Sequence, residues 1–229
     1  MVTPADFVTI GLLVALEGLL SADNAMVLAV LVLGLPKAQQ KKALRYGILG
    51  AFAFRTIATL LAVYLIKVGW VKLLGAGYLM YLTYRHFASS GSVDERRSHR
   101  PAQPGFGLSA FWATVVKVEL TDIVFALDSI LVAVAMSPKT WVVISGGILG
   151  IIAMRLVIGT LLALVERYPP LVDGAFIIIG WVSIKLFAEY LRSAGYIHFE
   201  IPKVFSLGLI VVIFVIAYVY AVRQEGARQ

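Results

Sequence analysis

Apolar runs recur along the whole chain. A helix needs about 17–25 largely apolar residues to cross a bilayer. Seven segments meet that length, near 7–33, 43–66, 70–87, 108–135, 141–165, 171–191 and 202–222. The runs are continuous and do not alternate, so the pattern predicts helices and not the strands of a closed barrel. Helices also satisfy their own backbone groups inside lipid. Turn residues mark the breaks. Gly34-Leu35-Pro36 closes the first run, and Ser137-Pro138, Pro169-Pro170 and Pro202 mark later junctions. The stretch from Ser89 to Gly107 is polar, charged and bears Gly and Pro, as a loop does. The opening Met1-Val2-Thr3-Pro4-Ala5-Asp6 lacks the basic start of a signal peptide, so the first run is expected to remain as a helix.

Composition narrows the class. Of 229 residues, 60% are apolar and 14% charged, with a mean hydropathy of +0.90. Soluble domains are about 45–50% apolar and about 25% charged. A soluble globular domain and a disordered chain are both excluded. The formal charge of +7 comes from 20 Lys and Arg against 13 Asp and Glu. In a soluble protein this excess would point to nucleic acid; here its distribution points to the bilayer, and no nucleic-acid partner is expected. Lys37, Lys41, Lys42, Arg45, Arg85, Arg96, Arg97, Arg100, Arg167, Arg223 and Arg228 fall on one side of the expected topology. Only Lys67, Lys72, Lys139, Arg192 and Lys203 fall on the other. The positive-inside bias then puts the N-terminus outside and the C-terminus in the cytoplasm, in what is expected to be a bacterial inner membrane. The chain has no cysteine, which excludes disulfides, Fe–S clusters and thiolate metal sites. No nucleophile–base pair stands out, so no enzyme activity is expected.

The second and fifth runs share a sequence. Gly47-Ile48-Leu49-Gly50-Ala51-Phe52-Ala53-Phe54-Arg55 matches Gly147-Ile148-Leu149-Gly150-Ile151-Ile152-Ala153-Met154-Arg155 at six of nine positions. Acidic residues repeat as well. Glu17 precedes Asp23-Asn24 by the same six positions that separate Asp122 from Asp128-Ser129, and Gly75 has a counterpart in Gly180. Runs one to three therefore resemble runs four to six. Three is odd, so the second copy enters the membrane from the opposite side, as in many secondary transporters. The expectation is a single transmembrane domain over 1–229. It comprises one repeat over 1–87, a cytoplasmic loop over 88–107, a second repeat over 108–191 and a seventh helix over 202–222.

Charges inside these runs demand partners. A charged side chain at a helix centre costs roughly 2.5–3.5 kcal/mol, while Leu, Ile, Val and Phe each return only about 0.3–0.6. Glu17, Asp23, Glu119, Asp122 and Asp128 therefore need counter-charges, water or an ion. At 100° per residue Glu17, Ser21 and Asn24 share one helix face, as do Asp122, Ala126 and Ser129, with Glu119 one turn earlier. Asp23 and Asp128 point about 240° away from Glu17 and Asp122 on an unbroken helix. Two arrangements follow. The helices unwind around Gly18–Asn24 and Thr121–Ser129, bringing the acids and free carbonyls to one cation site. Alternatively, Asp23 and Asp128 face neighbouring helices and pair with Arg55 or Arg155.

The available ligands are hard oxygens: carboxylates, the Asn24 amide, the hydroxyls of Ser21, Thr121 and Ser129, and carbonyls. Such sets suit Mn²⁺, Ca²⁺ and Mg²⁺. His86, His99 and His198 fall at or beyond the ends of the runs and are expected in loops or interfaces. Met26 and Met136 could soften a site, but methionine in an apolar helix usually packs. Arg55 and Arg155 are expected to neutralise carboxylates, or to release one when an ion binds. Lys185 and Glu189 are placed to pair at i, i+4, and Lys117 to snorkel. The glycines at 47, 50, 146, 147 and 150 are expected to admit close helix packing.

The segment Glu17-Gly-Leu-Leu-Ser-Ala-Asp-Asn-Ala25 resembles the first signature of the TerC family of integral membrane proteins, and Glu119-Leu-Thr-Asp-Ile-Val-Phe-Ala-Leu-Asp-Ser-Ile130 resembles its second. The resemblance covers essentially the whole chain. It implies a cation exporter of the lysine-exporter superfamily, with manganese efflux as the activity linked to several members. It also implies that Glu17, Asp23, Asn24, Asp122, Asp128 and Ser129 are the functional positions. From the residues themselves, Ser21, Glu119, Arg55, Arg155 and Lys185 are expected in auxiliary or gating roles. The expected function is Mn²⁺ export by alternating access, with protons as candidate counter-ion and no permanent cofactor. Export rests on the resemblance alone. A tellurium-oxyanion transporter and a non-transporting membrane scaffold are the rival expectations. The oligomeric state is left open.

Overall fold

The computed structural model describes residues 2–20, 22–61, 69–88, 104 and 107–226. Most of the expected loop over 88–107 lies outside them. Among the described residues the chain is all-helical, with no strand, in eight helices. They are α1 (Pro4–Leu20), α2 (Ala22–Val32), α3 (Lys37–Leu60), α4 (Trp70–Ala88), α5 (Ala110–Met136), α6 (Thr140–Arg167), α7 (Pro170–Ser193) and α8 (Lys203–Gly226). Helices α6, α7 and the Val204–Gln224 stretch of α8 are long and apolar enough to cross a membrane by length and composition.

Local chemistry explains the boundaries. Pro36, with extended ψ, stands at the start of α3, and the Gln40 amide folds back to donate to the Leu35 carbonyl. Ser109 caps α5 by accepting from the Trp112 amide. Ser137-Pro138 ends that helix, and Pro170 opens α7 at a position where a missing N–H costs nothing. Gly195 closes α7 at φ 80°, and the Tyr196 amide reaches back to the Leu191 carbonyl. This is the left-handed stop that glycine makes without steric cost.

The helices group into two compact units that interleave along the chain. The first takes α1, α2, α3, α5 and α6 as far as Thr160; the second takes α4, the end of α6 from Leu161, α7 and α8. The first unit thus collects the first two runs of each expected repeat, and the second collects the third run of each. In the first unit a buried core of Leu13, Ala133, Val142 and Val143 packs α1 against α5 and α6. Just ahead of the apolar run of α1, both oxygens of Asp6 accept from Lys139 Nζ at 2.8 Å. That hydrogen bond holds the Asp6 carboxyl below its ordinary range.

In the second unit α4 lies along α7. Ser183 donates to the Ala76 carbonyl at 2.8 Å, and Gly180 admits Thr83. His86 is half-buried between these two helices, 2.9 Å from Asp173 and stacked 3.8 Å over the Phe176 ring. It is an interface residue. His198 lies between α7 and α8, and His99 lies outside the described residues. Trp181 on α7 donates to Ser206 on α8 at 2.9 Å. Lys185 pairs with Glu189 at 3.5 Å as the spacing predicts, yet Lys72 of α4 takes the same carboxylate at 2.8 Å. Lys185 is thus held in a local ion cluster of the second unit.

Candidate functional site

The first unit buries Glu17, Asn24, Arg55, Thr121, Asp122 and Ser129 among apolar side chains. Arg55 of α3 reaches α1 and forms a fork with Glu17, Nη1 to Oε1 at 2.8 Å and Nη2 to Oε2 at 2.6 Å. This two-point geometry matches guanidinium to carboxylate. The Arg55 Nη2 group also donates to Ser129 Oγ on α5, whose hydroxyl donates in turn to the Ala126 carbonyl. One guanidinium therefore ties three helices together. On the far side of the same space Asn24 Nδ2 of α2 donates to Asp122 Oδ1 of α5 at 2.8 Å and lies 3.7 Å from the Met154 sulfur of α6.

These groups surround a small cavity. Glu17, Asn24, Arg55, Asp122 and Met154 line it together with Phe54 and other apolar side chains. Its free centre holds about one water-sized sphere. An ion occupying it has to shed most of its hydration shell and take protein atoms instead. Among the described residues no three His, Asp or Glu side chains converge on one point. The atoms that can meet a cation are the Asp122 carboxylate, the Asn24 amide and the Met154 thioether, with Glu17 committed to Arg55. Ser21 and the side chains of Asp23 and Asp128 lie outside the described residues.

The second arginine is placed differently. Arg155 Nη1 donates to the Leu44 carbonyl at 3.2 Å. Its Nε and Nη2, and Oε1 of Glu119, are buried with no hydrogen-bond partner among the described residues. Both side chains crowd Gly47, where a Cβ would lie 3.2 Å from Glu119 Oε1 and 3.3 Å from Arg155 Nη2. The glycines of the repeated nonapeptide thus face charged side chains on both sides. Gly47 and Gly50 take Arg155 and Glu119, while Gly147 and Gly150 take Arg55 and Glu17.

Two expectations are corrected. Span four does not unwind over Thr121–Ser129: α5 is one helix, and both hydroxyls bond inside it, Thr121 to the Lys117 carbonyl and Ser129 to that of Ala126. Returning each hydroxyl to its own helix removes the need for free backbone groups. Glu17 and Asn24, expected on one helix face, stand on separate helices, α1 and α2, and both line the cavity. Arg155 gives its hydrogen bond to the Leu44 carbonyl, and the Glu119 and Asp122 carboxylates stand near enough to act on its charge. Sequence reasoning missed Met154. The available signal was its place beside Arg155, where the other copy has Phe54.

The close approach of Glu17 to α6 depends on Gly150. A Cβ there would lie 2.5 Å from Glu17 Cγ and 2.6 Å from its Cβ. The Glu17 Cβ moves only with its backbone, so Gly150→Ala is expected to lower stability by about 1–3 kcal/mol. Gly159→Ala on the same helix meets nothing within 4 Å and serves as the neutral comparison. Denaturant unfolding in detergent measures both; equal midpoints would sink the contact.

A bundle of apolar helices that buries acids and bases together around a small polar cavity is the construction of an integral membrane protein. The comparisons with known proteins agree. The chain belongs to the integral membrane protein TerC family, whose sequence pattern matches residues 2–227. It is 42% identical to the membrane protein YceF of Bacillus subtilis (strain 168), over 99% of this chain and 87% of that protein. It is 40% identical to YkoY of the same organism, over 76% of this chain and 57% of that protein. Alx of Escherichia coli (strain K12), provisionally named a membrane-bound redox modulator, is 25% identical over 89% of this chain and 69% of that protein. No solved structure matches.

Proposed function

We propose that the protein transports divalent metal cations, Mn²⁺ foremost, across a bacterial inner membrane by alternating access. The direction is export from the cytosol, with protons as candidate counter-ion and the seven-span inverted repeat as the framework. The observation that carries this reading is the buried cavity and its charge. Glu17 and Asp122 line it against Arg55, an excess of one acid, and Asp23 and Asp128 add two more acids to the same spans. A low-dielectric cavity of that sign attracts cations and repels oxyanions. Asp122 and Asn24 are the first ligands, with Asp23, Asp128, Glu17 and Ser129 completing the candidate set. A cation reaching Glu17 competes with the Arg55 guanidinium for the same two oxygens, which links binding to helix position. The redox description of Alx is the rival drawn from a relative. This chain has no cysteine to carry a thiol couple of its own.

The test is Mn²⁺ flux into proteoliposomes of the purified protein, with a pH dye inside and Ca²⁺, Mg²⁺ and Zn²⁺ as competitors. Saturable Mn²⁺ flux with opposite proton movement is expected. Flux at constant internal pH would remove the proton coupling. No flux of any divalent ion through folded protein would overturn transport and favour the scaffold.

A further inference from the structure

We infer that Met154 is the specificity-determining ligand of the cavity: its thioether binds the transported ion beside Asp122 and Asn24 and favours divalent transition-metal cations over Ca²⁺ and Mg²⁺. The inference rests on the cation-transport reading and extends it to the class of ion. Asn24 Nδ2 marks the place. This donor nitrogen, the most electropositive part of the amide, sits 2.8 Å from Asp122 Oδ1 and 3.7 Å from Met154 Sδ. A carboxylate oxygen and a thioether sulfur therefore converge on one point that already holds a positive group. A cation entering there, with the Asn24 amide turned to present its oxygen, meets one charged oxygen, one neutral oxygen and one sulfur.

The position is distinctive in the sequence as well. Met154 and Phe54 are the equivalent residues of the two nonapeptides, and both line the cavity. The repeat thus differs in chemistry beside its two arginines: one copy offers an aromatic edge, the other a polarizable sulfur. Met154 is only 4% exposed, so its sulfur faces protein and the cavity. Packing alone would be served equally by leucine. Sulfur adds selectivity, because a thioether is a poor ligand for hard Mg²⁺ and Ca²⁺ and a better one for transition-metal ions. In a cavity this small no water is at hand to replace the missing oxygen.

Cd²⁺ is the probe, since it is soft and reports its ligands by X-ray absorption. The chain has five methionines and no cysteine, so any sulfur around bound Cd²⁺ comes from a thioether. Purified full-length protein is expected to show a sulfur scatterer around Cd²⁺, absent in Met154→Leu. In Met154→Leu the preference for Cd²⁺ over Ca²⁺ should fall by about tenfold, because the soft ion loses its soft ligand. The substitution conserves volume and is expected to leave the fold intact. An all-oxygen shell in the wild type overturns the inference whether or not the variant folds. So does an unchanged preference in a folded variant. Both leave cation transport standing, whereas a wild type that binds neither Cd²⁺ nor Mn²⁺ overturns transport and this inference together.

Discussion

Replacing Arg55 with methionine is expected to cost about 3–5 kcal/mol of stability, the usual penalty for stripping one partner from a buried ion pair. The reason is geometric. Both Glu17 oxygens accept from this guanidinium, and its side chain is only 6% exposed. Removing it strands a carboxylate in an apolar bundle and leaves Ser129 without its donor. The double change Glu17→Leu with Arg55→Met should recover most of the loss, because two apolar side chains replace two charges and neither is left unpaired. Arg155→Met should cost less than Arg55→Met, since Arg155 donates singly to the Leu44 carbonyl and makes no fork with a carboxylate. Denaturant titrations of the four proteins in one detergent measure these differences. Equal losses from the two arginines would show that the Glu17 fork contributes nothing particular.

The second large effect is on transport and leaves the fold in place. Asp122→Asn keeps an oxygen that still accepts from Asn24, so stability should change by no more than about 1 kcal/mol. The charge, however, is gone from the one described carboxylate that faces the cavity without an arginine fork. Losing a charged ligand worth about 3 kcal/mol corresponds to about a hundredfold weaker interaction with a divalent cation. Mn²⁺ flux in proteoliposomes is therefore expected to fall by about two orders of magnitude, with an unfolding midpoint close to that of the wild type. Normal flux in this variant would remove Asp122 from the site.

The two substitutions separate two uses of buried charge in one unit. Glu17 with Arg55 and Ser129 is a clasp across α1, α3 and α5, and Asp122 with Asn24 and Met154 is the proposed ion-binding face. Glycine packing keeps them adjacent: Gly147 lies against Arg55 and Gly150 against Glu17. Any motion of α6 along α1 must therefore disturb the clasp. On the proposed transport reading this couples ion binding to the clasp, because both use the same helices.

Much of this was legible in the residues. Helix boundaries fall where Pro36, Ser137-Pro138 and Pro169-Pro170 stand, because proline cannot continue a helix past its first turn. The cost of charge in lipid marked Glu17, Arg55, Asp122 and Arg155 as residues needing partners, and the matched nonapeptides marked their glycines as close contacts. Helical periodicity paired Lys185 with Glu189. These are local properties, set by 3.6 residues per turn and by transfer energies. Partner choice is not local. Arg55 takes Glu17 while Arg155 takes a backbone carbonyl, although both end the same repeated segment. Lys72 joins Lys185 on Glu189 across 117 positions of chain. Met154 reads as packing until α6 docks against α2 and turns its sulfur toward Asn24. Local chemistry marks the groups that need burial, but helix docking chooses their partners, because a few ångströms of sliding between helices changes every pairing while leaving each helix unchanged.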